Sequence, residues 1–216
     1  MSRPPSQGWT RLLLGCGEVA GPLFTAVYLW QGALREGYRP RRHPVSSLAL
    51  GERGAVQRAS FAVAGSLFLA FAVGVRRSLP TGGRARMLPS LVAGAGAGLL
   101  GAGTFATDPM SGYPLGTPAL PDSPSLGGRF HNLCGVPVFV GMPVACLATA
   151  LGSAGGAARS WRIYSAASGL TMLGAMGLAG RGFAQDPALV DNAGLLQRIS
   201  ISAGMGWACL LARRLR

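Results

Sequence analysis

The chain holds two histidines, His43 and His131, and both fall at breaks between apolar stretches, on the same expected side as the carboxylate of Asp108. An imidazole titrates near neutral pH, so either histidine beside Asp108 could move a proton as general acid or base. Ser46 or Ser47 with one histidine and Asp108 would supply the residue types of a hydrolytic triad. Neither serine sits in a Gly-x-Ser-x-Gly elbow, which weighs against nucleophilic catalysis. A catalytic metal site takes three protein ligands and a structural one four, so His43, His131 and Asp108 reach the minimum only by converging. Asp108, His131 and His43 are therefore the catalytic candidates, with no metal and no cofactor expected.

A second kind of chemistry is anion binding. The run Arg39-Pro40-Arg41-Arg42-His43-Pro44-Val45-Ser46-Ser47 places Arg39, Arg41 and Arg42 close together, with Ser46 and Ser47 adding hydroxyls. Guanidiniums grip phosphate or carboxylate oxygens as bidentate forks, and two prolines stiffen the segment into a turn leading to a short interfacial stretch. The plainer reading of the same run is a solvated loop or a contact with anionic lipid.

Two short patterns recur. Phe105-Ala106-Thr107-Asp108-Pro109 and Phe183-Ala184-Gln185-Asp186-Pro187 each follow an apolar run, while Gln57-Arg58-Ala59-Ser60 and Gln197-Arg198-Ile199-Ser200 each open one. Proline stops a helix and leaves the preceding carboxylate at its end. Asp108 and Asp186 thus face a ring of cationic helix starts at Arg58, Arg129 and Arg198, either as a polar ligand pocket or as structural clasps between neighbouring helices.

The elements that must position these groups follow from composition. Only 12% of the 216 residues are charged, 49% are hydrophobic, and 34 are glycine; a soluble domain carries about 25% charged residues. All 20 basic residues are Arg, giving a net charge of +13, but they sit in short breaks between apolar runs. That arrangement excludes the basic, aromatic-lined patch of a nucleic-acid binder. Stretches of the length that crosses about 30 Å of hydrocarbon occur at residues 12–34, 55–75, 87–106, 132–152, 160–180 and 193–212. The expected fold is all-α, a polytopic bundle of six transmembrane helices forming one membrane domain over residues 1–216. Because the first span is long and contains Glu18 and Pro22, it is read as a membrane helix rather than a cleaved leader.

Arg residues fall in a thin majority on the side of the termini, Arg3 and Arg84 among them, which places both termini in the cytoplasm. Every acid except Glu18 lies on the other side, so the Arg-rich segment 39–42 is expected to fold down and pair with Asp108, Asp186 and Asp191. That closure would bring His43 and Ser46 towards Asp108 and His131. Glu18, the one intramembrane acid, reads equally as a functional group or as a paired structural one. Gly94, Gly96, Gly98, Gly101 and Gly103 read as surfaces for close helix packing, and Cys16, Cys134, Cys146 and Cys209 as apolar packing residues.

Taken together, His43-Pro44-Val45-Ser46-Ser47-Leu48, Gln57-Arg58-Ala59-Ser60-Phe61, Gly103-Thr104-Phe105-Ala106-Thr107-Asp108-Pro109 and Phe130-His131 resemble domain-of-unknown-function family 998 over about Leu12 to Arg214. The resemblance implies a bacterial, six-helix integral membrane protein of the inner (plasma) membrane and carries no activity, cofactor or catalytic residue. The residues themselves favour binding of, or acid–base action on, an amphipathic lipid or isoprenoid, acid-initiated isoprenoid cyclisation being one version. A small transporter or channel, and an assembly or scaffold protein, are the alternatives. Membrane lipid and an amphipathic small molecule are the partners expected, and no nucleic acid.

Overall fold

In the computed structural model residues 5–79, 83–152 and 159–216 are described, those at 5–6 and 83–85 by their backbone alone. Arg3 and the side chain of Arg84, both counted above towards the orientation, lie outside the described residues. Six helices follow the six apolar runs: α1 (Pro5–Leu34), α2 (Gly54–Ser78), α3 (Gly83–Thr104), α4 (Leu126–Gly152), α5 (Arg159–Phe183) and α6 (Ala193–Leu215). No strand occurs among the described residues. All six are long and apolar enough to cross a membrane.

Their outward faces say what surrounds them. Leu12, Leu126, Leu133, Leu151 and Leu170 are each more than 60% exposed, and apolar surface on that scale is not left against water. Hydrocarbon is the solvent of this bundle.

Each helix packs against its neighbours in chain order, and α6 returns to α1, so the six close into a ring. Small residues set the closest approaches, as their clustering predicts. A Cβ on Gly65 of α2 would lie 2.7 Å from the carbonyl oxygen of Gly96 on α3, and one on Gly96 would lie 2.9 Å from that of Gly65. Gly98 and Gly101 take the backbone and thiol of Cys134 on α4 in the same way. Phe24, Phe61, Phe68 and Phe71 fill the middle of the ring. All four cysteines are free thiols within helices.

The helices overrun the predicted spans at most ends, because a helix continues past hydrocarbon until its backbone is capped. α4 begins at Leu126 instead of 132, where the Ser125 hydroxyl accepts the Gly128 N–H at 2.9 Å. At its other end α3 stops at Thr104, short of the expected 106. The Asp108-Pro109 stop acts four residues early there, the chain turning out through Phe105 to Thr107.

α4 is not uniform. Pro137 has no N–H for the helical ladder, and Pro137–Gly141 is a π turn in which the Met142 N–H reaches back to the Pro137 carbonyl. Before this turn the helix packs mainly on α3, and after it α5 becomes its main neighbour. The half of α4 that starts at Leu126 therefore stands away from α6.

Both ends of the chain meet on one face, which we call the terminal face. Arg216 and Arg213 on α6 pair with Glu18 on α1 at 2.6 and 3.4 Å. The single intramembrane acid is thus held by two guanidiniums, the paired arrangement expected of such a group. The three connections carrying the other acids form the opposite, loop face.

Candidate functional site

The 35–53 connection is folded down onto the helix ends, and its anchor is Arg198. This guanidinium is 8% exposed. Its Nη1 donates to the carbonyls of Pro40, His43 and Gly194 at 2.6, 3.0 and 2.9 Å, and its Nη2 donates to the Tyr38 hydroxyl. The rings of Tyr28 and Tyr38 lie 5.5 and 5.7 Å from it, a cation–π arrangement that offsets lost hydration. Gly194 has no side chain because the backbone of residues 40–43 runs directly over it. Gln197, one residue before Arg198, accepts the Val45 N–H at 2.9 Å and so fixes the start of the 3-10 turn Val45–Ala49.

His43 is held on both sides of its ring. Its Nδ1 accepts the Arg39 N–H at 2.9 Å, and its Nε2–H donates to the Ser111 carbonyl at 3.3 Å. Burial, with Arg42, Arg39 and Arg198 nearby, pushes its pKa below the ordinary imidazole value, although the bond to Ser111 opposes the shift. The ring is neutral and packs in tilted and edge-on contact with Tyr38 and Tyr113, all three centroids within 5.2–5.5 Å of one another. Burial raises the Tyr38 pKa despite Arg198, so its phenol stays protonated and donates to the Pro44 carbonyl at 3.1 Å. Ser111 joins all three connections, accepting also from Arg42 and, at its hydroxyl, from Gln185.

The acids divide differently from the expectation. Asp191 pairs with Arg42 at 2.6 Å, as the folded-down loop requires. Asp186 instead pairs with Arg181, five residues before it, and accepts the Ala188 N–H, closing its own corner. Asp108 meets no guanidinium; it accepts the Ser125 N–H at 3.0 Å, and Gly128 leaves room for its carboxylate. At Asp108 the free N–H at the start of α4 is a nearer partner than any distant Arg, and at Asp186 the nearer partner is Arg181 of its own corner.

His131, 9% exposed, is held at a different point of the 105–125 connection from His43. Its Nδ1 lies 3.0 Å from the Phe105 carbonyl and must donate to it, so Nε2 is the ring's acceptor. Together with Ser46 and Gln197 it supplies the polar groups of a narrow apolar slot of about 60 Å³, walled by Phe24 and Phe61 on one side and Cys134, Phe139 and Ile201 on the other. Below it a smaller cavity of about 20 Å³ shares Leu99, Val138, Phe139, Ile201 and Met205 and continues towards Phe68, Met142 and Met172. The slot lies where the half of α4 that starts at Leu126 stands away from α6, and no charged side chain lines it.

Apart from Asp108, Asp186 and Glu18, placed above, the expected site residues fall in four places. Ser46 and His131 share the slot. Arg198, His43 and Ser47 are buried in the packing of the loop, Ser47 with no hydrogen bond for its hydroxyl. Arg39, Arg41 and Arg42 border an open hollow on the loop face, where Arg41 donates to Asn192 at 2.7 Å. Arg58 and Arg129 are exposed. Among the described residues no three His, Cys, Asp or Glu side chains are grouped to hold a metal. Sequence reasoning missed Gln31, buried and bonded to Gln57 at 2.8 Å, and it missed Tyr38, Ser111 and the slot walls. A lone amide near the end of an apolar run was the available signal for Gln31.

A ring of six apolar helices, exposing leucine all round and closed by polar connections on one face, defines a polytopic helical membrane protein. Within that class the chain belongs to the family described as protein of unknown function DUF998, which it matches over residues 19–214. No curated protein and no solved structure matches it.

Proposed function

We propose that the protein binds a single-chain amphipathic lipid or isoprenoid, its chain lying in the slot between α3, α4 and α6 and its polar end at His131, Ser46 and Gln197. The observation that carries this reading is the slot: apolar along its length, polar at one end, and flanked by the part of α4 that precedes its π turn. A volume of about 60 Å³ equals roughly two water molecules, so a thin chain would widen it by moving that part of α4. The polar end offers an acceptor at His131 Nε2 and neutral groups besides, which suits a hydroxyl better than a phosphate. Because the slot lining carries no carboxylate, we favour binding over acid-initiated cyclisation. Orientation with the termini in the cytoplasm, and residence in the plasma membrane, belong to the same proposal and rest on the distribution of Arg.

The test is photolabelling of the reconstituted protein with a diazirine-bearing farnesol. Labels are expected within residues 131–142 and 197–205, and Gly135→Leu, which fills the slot, should abolish them while the melting temperature holds. His131→Phe should weaken binding about three- to ten-fold, the loss of one hydrogen bond. Labelling spread evenly over the lipid-facing helix surfaces, or unchanged in Gly135→Leu, would overturn the reading.

A further inference from the structure

The terminal face carries its own unmatched charge. α1 packs between α2 and α6, and the approach is close: a Cβ on Gly74 would lie 2.9 Å from the Leu14 nitrogen, and one on Gly21 would lie 2.8 Å from the Met205 Cβ. That packing gathers three cationic helix ends around a hollow of about 720 Å³, with Arg11 from α1, Arg77 from α2 and Arg216 from α6 at its rim. Leu14 and Leu215 form an apolar floor. Glu18 is the one acidic side chain on this face among the described residues, and it is already taken by Arg216 and Arg213. Arg11 donates to the terminal main-chain oxygen of Arg216 at 3.4 Å. Arg77 is exposed on the last turn of α2 beside Arg76.

Guanidiniums from three helices around an apolar floor call for an anion that is itself joined to something apolar. Trp9 and Leu12, 63% and 62% exposed on the same helix as Arg11, mark the hollow as lying at the edge of the hydrocarbon. We infer that this hollow binds the phosphate of an anionic phospholipid, with Arg11, Arg77 and Arg216 as its ligands and the glycerol end of the chains on Leu14 and Leu215. The phosphate neutralises the repulsion among the helix ends that Glu18 alone does not cancel, and it locks α1 against α2 and α6. The slot on the loop face is lined by neutral groups and takes no part in this site.

The experiment is native mass spectrometry of the full chain extracted from nanodiscs of phosphatidylcholine containing a minor fraction of phosphatidylglycerol. Wild-type protein should retain phosphatidylglycerol selectively. Arg77→Gln, a change at an exposed side chain, should lower that retention about five-fold, the effect of one cation at an anionic surface, and Arg11→Gln with Arg77→Gln should lower it further. Arg53→Gln, at an exposed side chain on the loop face, should leave it unchanged. Equal retention by Arg77→Gln and wild type, or an equal loss in the loop-face variant, overturns the assignment. A thermal shift from inorganic phosphate as large as that from phosphatidylglycerol would assign the hollow to free phosphate and overturn the lipid.

Discussion

Gln57-Arg58-Ala59-Ser60 near the start of α2 and Gln197-Arg198-Ile199-Ser200 near the start of α6 carry nearly the same residues in the same order, and the ring of helices uses them differently. In both, the Gln and the Ser three residues later share a helix face and are buried. Gln57 meets Gln31, whereas Gln197 meets the backbone of Val45. The Arg between them is turned about 100° away from the Gln. On α2 that direction leads outward and Arg58 is exposed; on α6 it leads under the 39–45 segment, and Arg198 is enclosed. A residue one position along a helix is thus committed by whichever segment passes over it, and the local string does not specify that segment. The two Phe-Ala-x-Asp-Pro corners teach the same lesson, since Asp108 caps the start of the next helix while Asp186 closes its own turn.

The largest expected effect tests the Arg pair directly. Arg198→Ala removes the buried guanidinium that the Pro40, His43 and Gly194 carbonyls share and should lower stability by roughly 3 kcal/mol, whereas Arg58→Ala should change it by no more than about 0.5 kcal/mol. Thermal unfolding in one detergent compares them, and similar losses would break the distinction.

The corners come next. Gly128→Ala drives a methyl into the Asp108 carboxylate and should cost about 1–3 kcal/mol, while Asp108→Ala removes a cap for about 1 kcal/mol. If the two residues meet as described, the double variant loses clearly less than the sum. Asp186→Ala gives up a pair whose Arg181 side chain is 67% exposed and should cost about 0.5 kcal/mol. Equal losses at Asp108 and Asp186 would make the corners equivalent after all.

The smallest effect is a pH dependence confined to the docked loop. His43 has a folded pKa below its ordinary 6.5, so the unfolded chain takes up its proton first. The stabilisation is complete above about 6.5 and is lost as pH falls through the lowered folded value. Distances between spin labels at positions 39 and 195 should broaden below that range in the wild type, and His43→Gln should remove the dependence. Broadening that persists in His43→Gln would shift the cause to another group.

Six runs of apolar residues were enough to determine six helices and their shared face for the termini, because a backbone in hydrocarbon has to satisfy its own hydrogen bonds and helices of that length are the way to do it. Glycine-rich α3 announced close packing, and Pro109 and Pro187 announced helix ends, since both depend on a residue's own geometry. The sequence also led to the folded-down loop, through the excess of Arg39, Arg41 and Arg42 on the side of the acids. Tertiary structure alone decided that Asp191 would take Arg42 while Asp108 and Asp186 found partners within their own corners. It alone enclosed Arg198 and exposed Arg58, and it alone opened the slot beside His131. Each of these depends on which distant segment lies against a given helix face, and a periodicity of three to four residues holds no record of that.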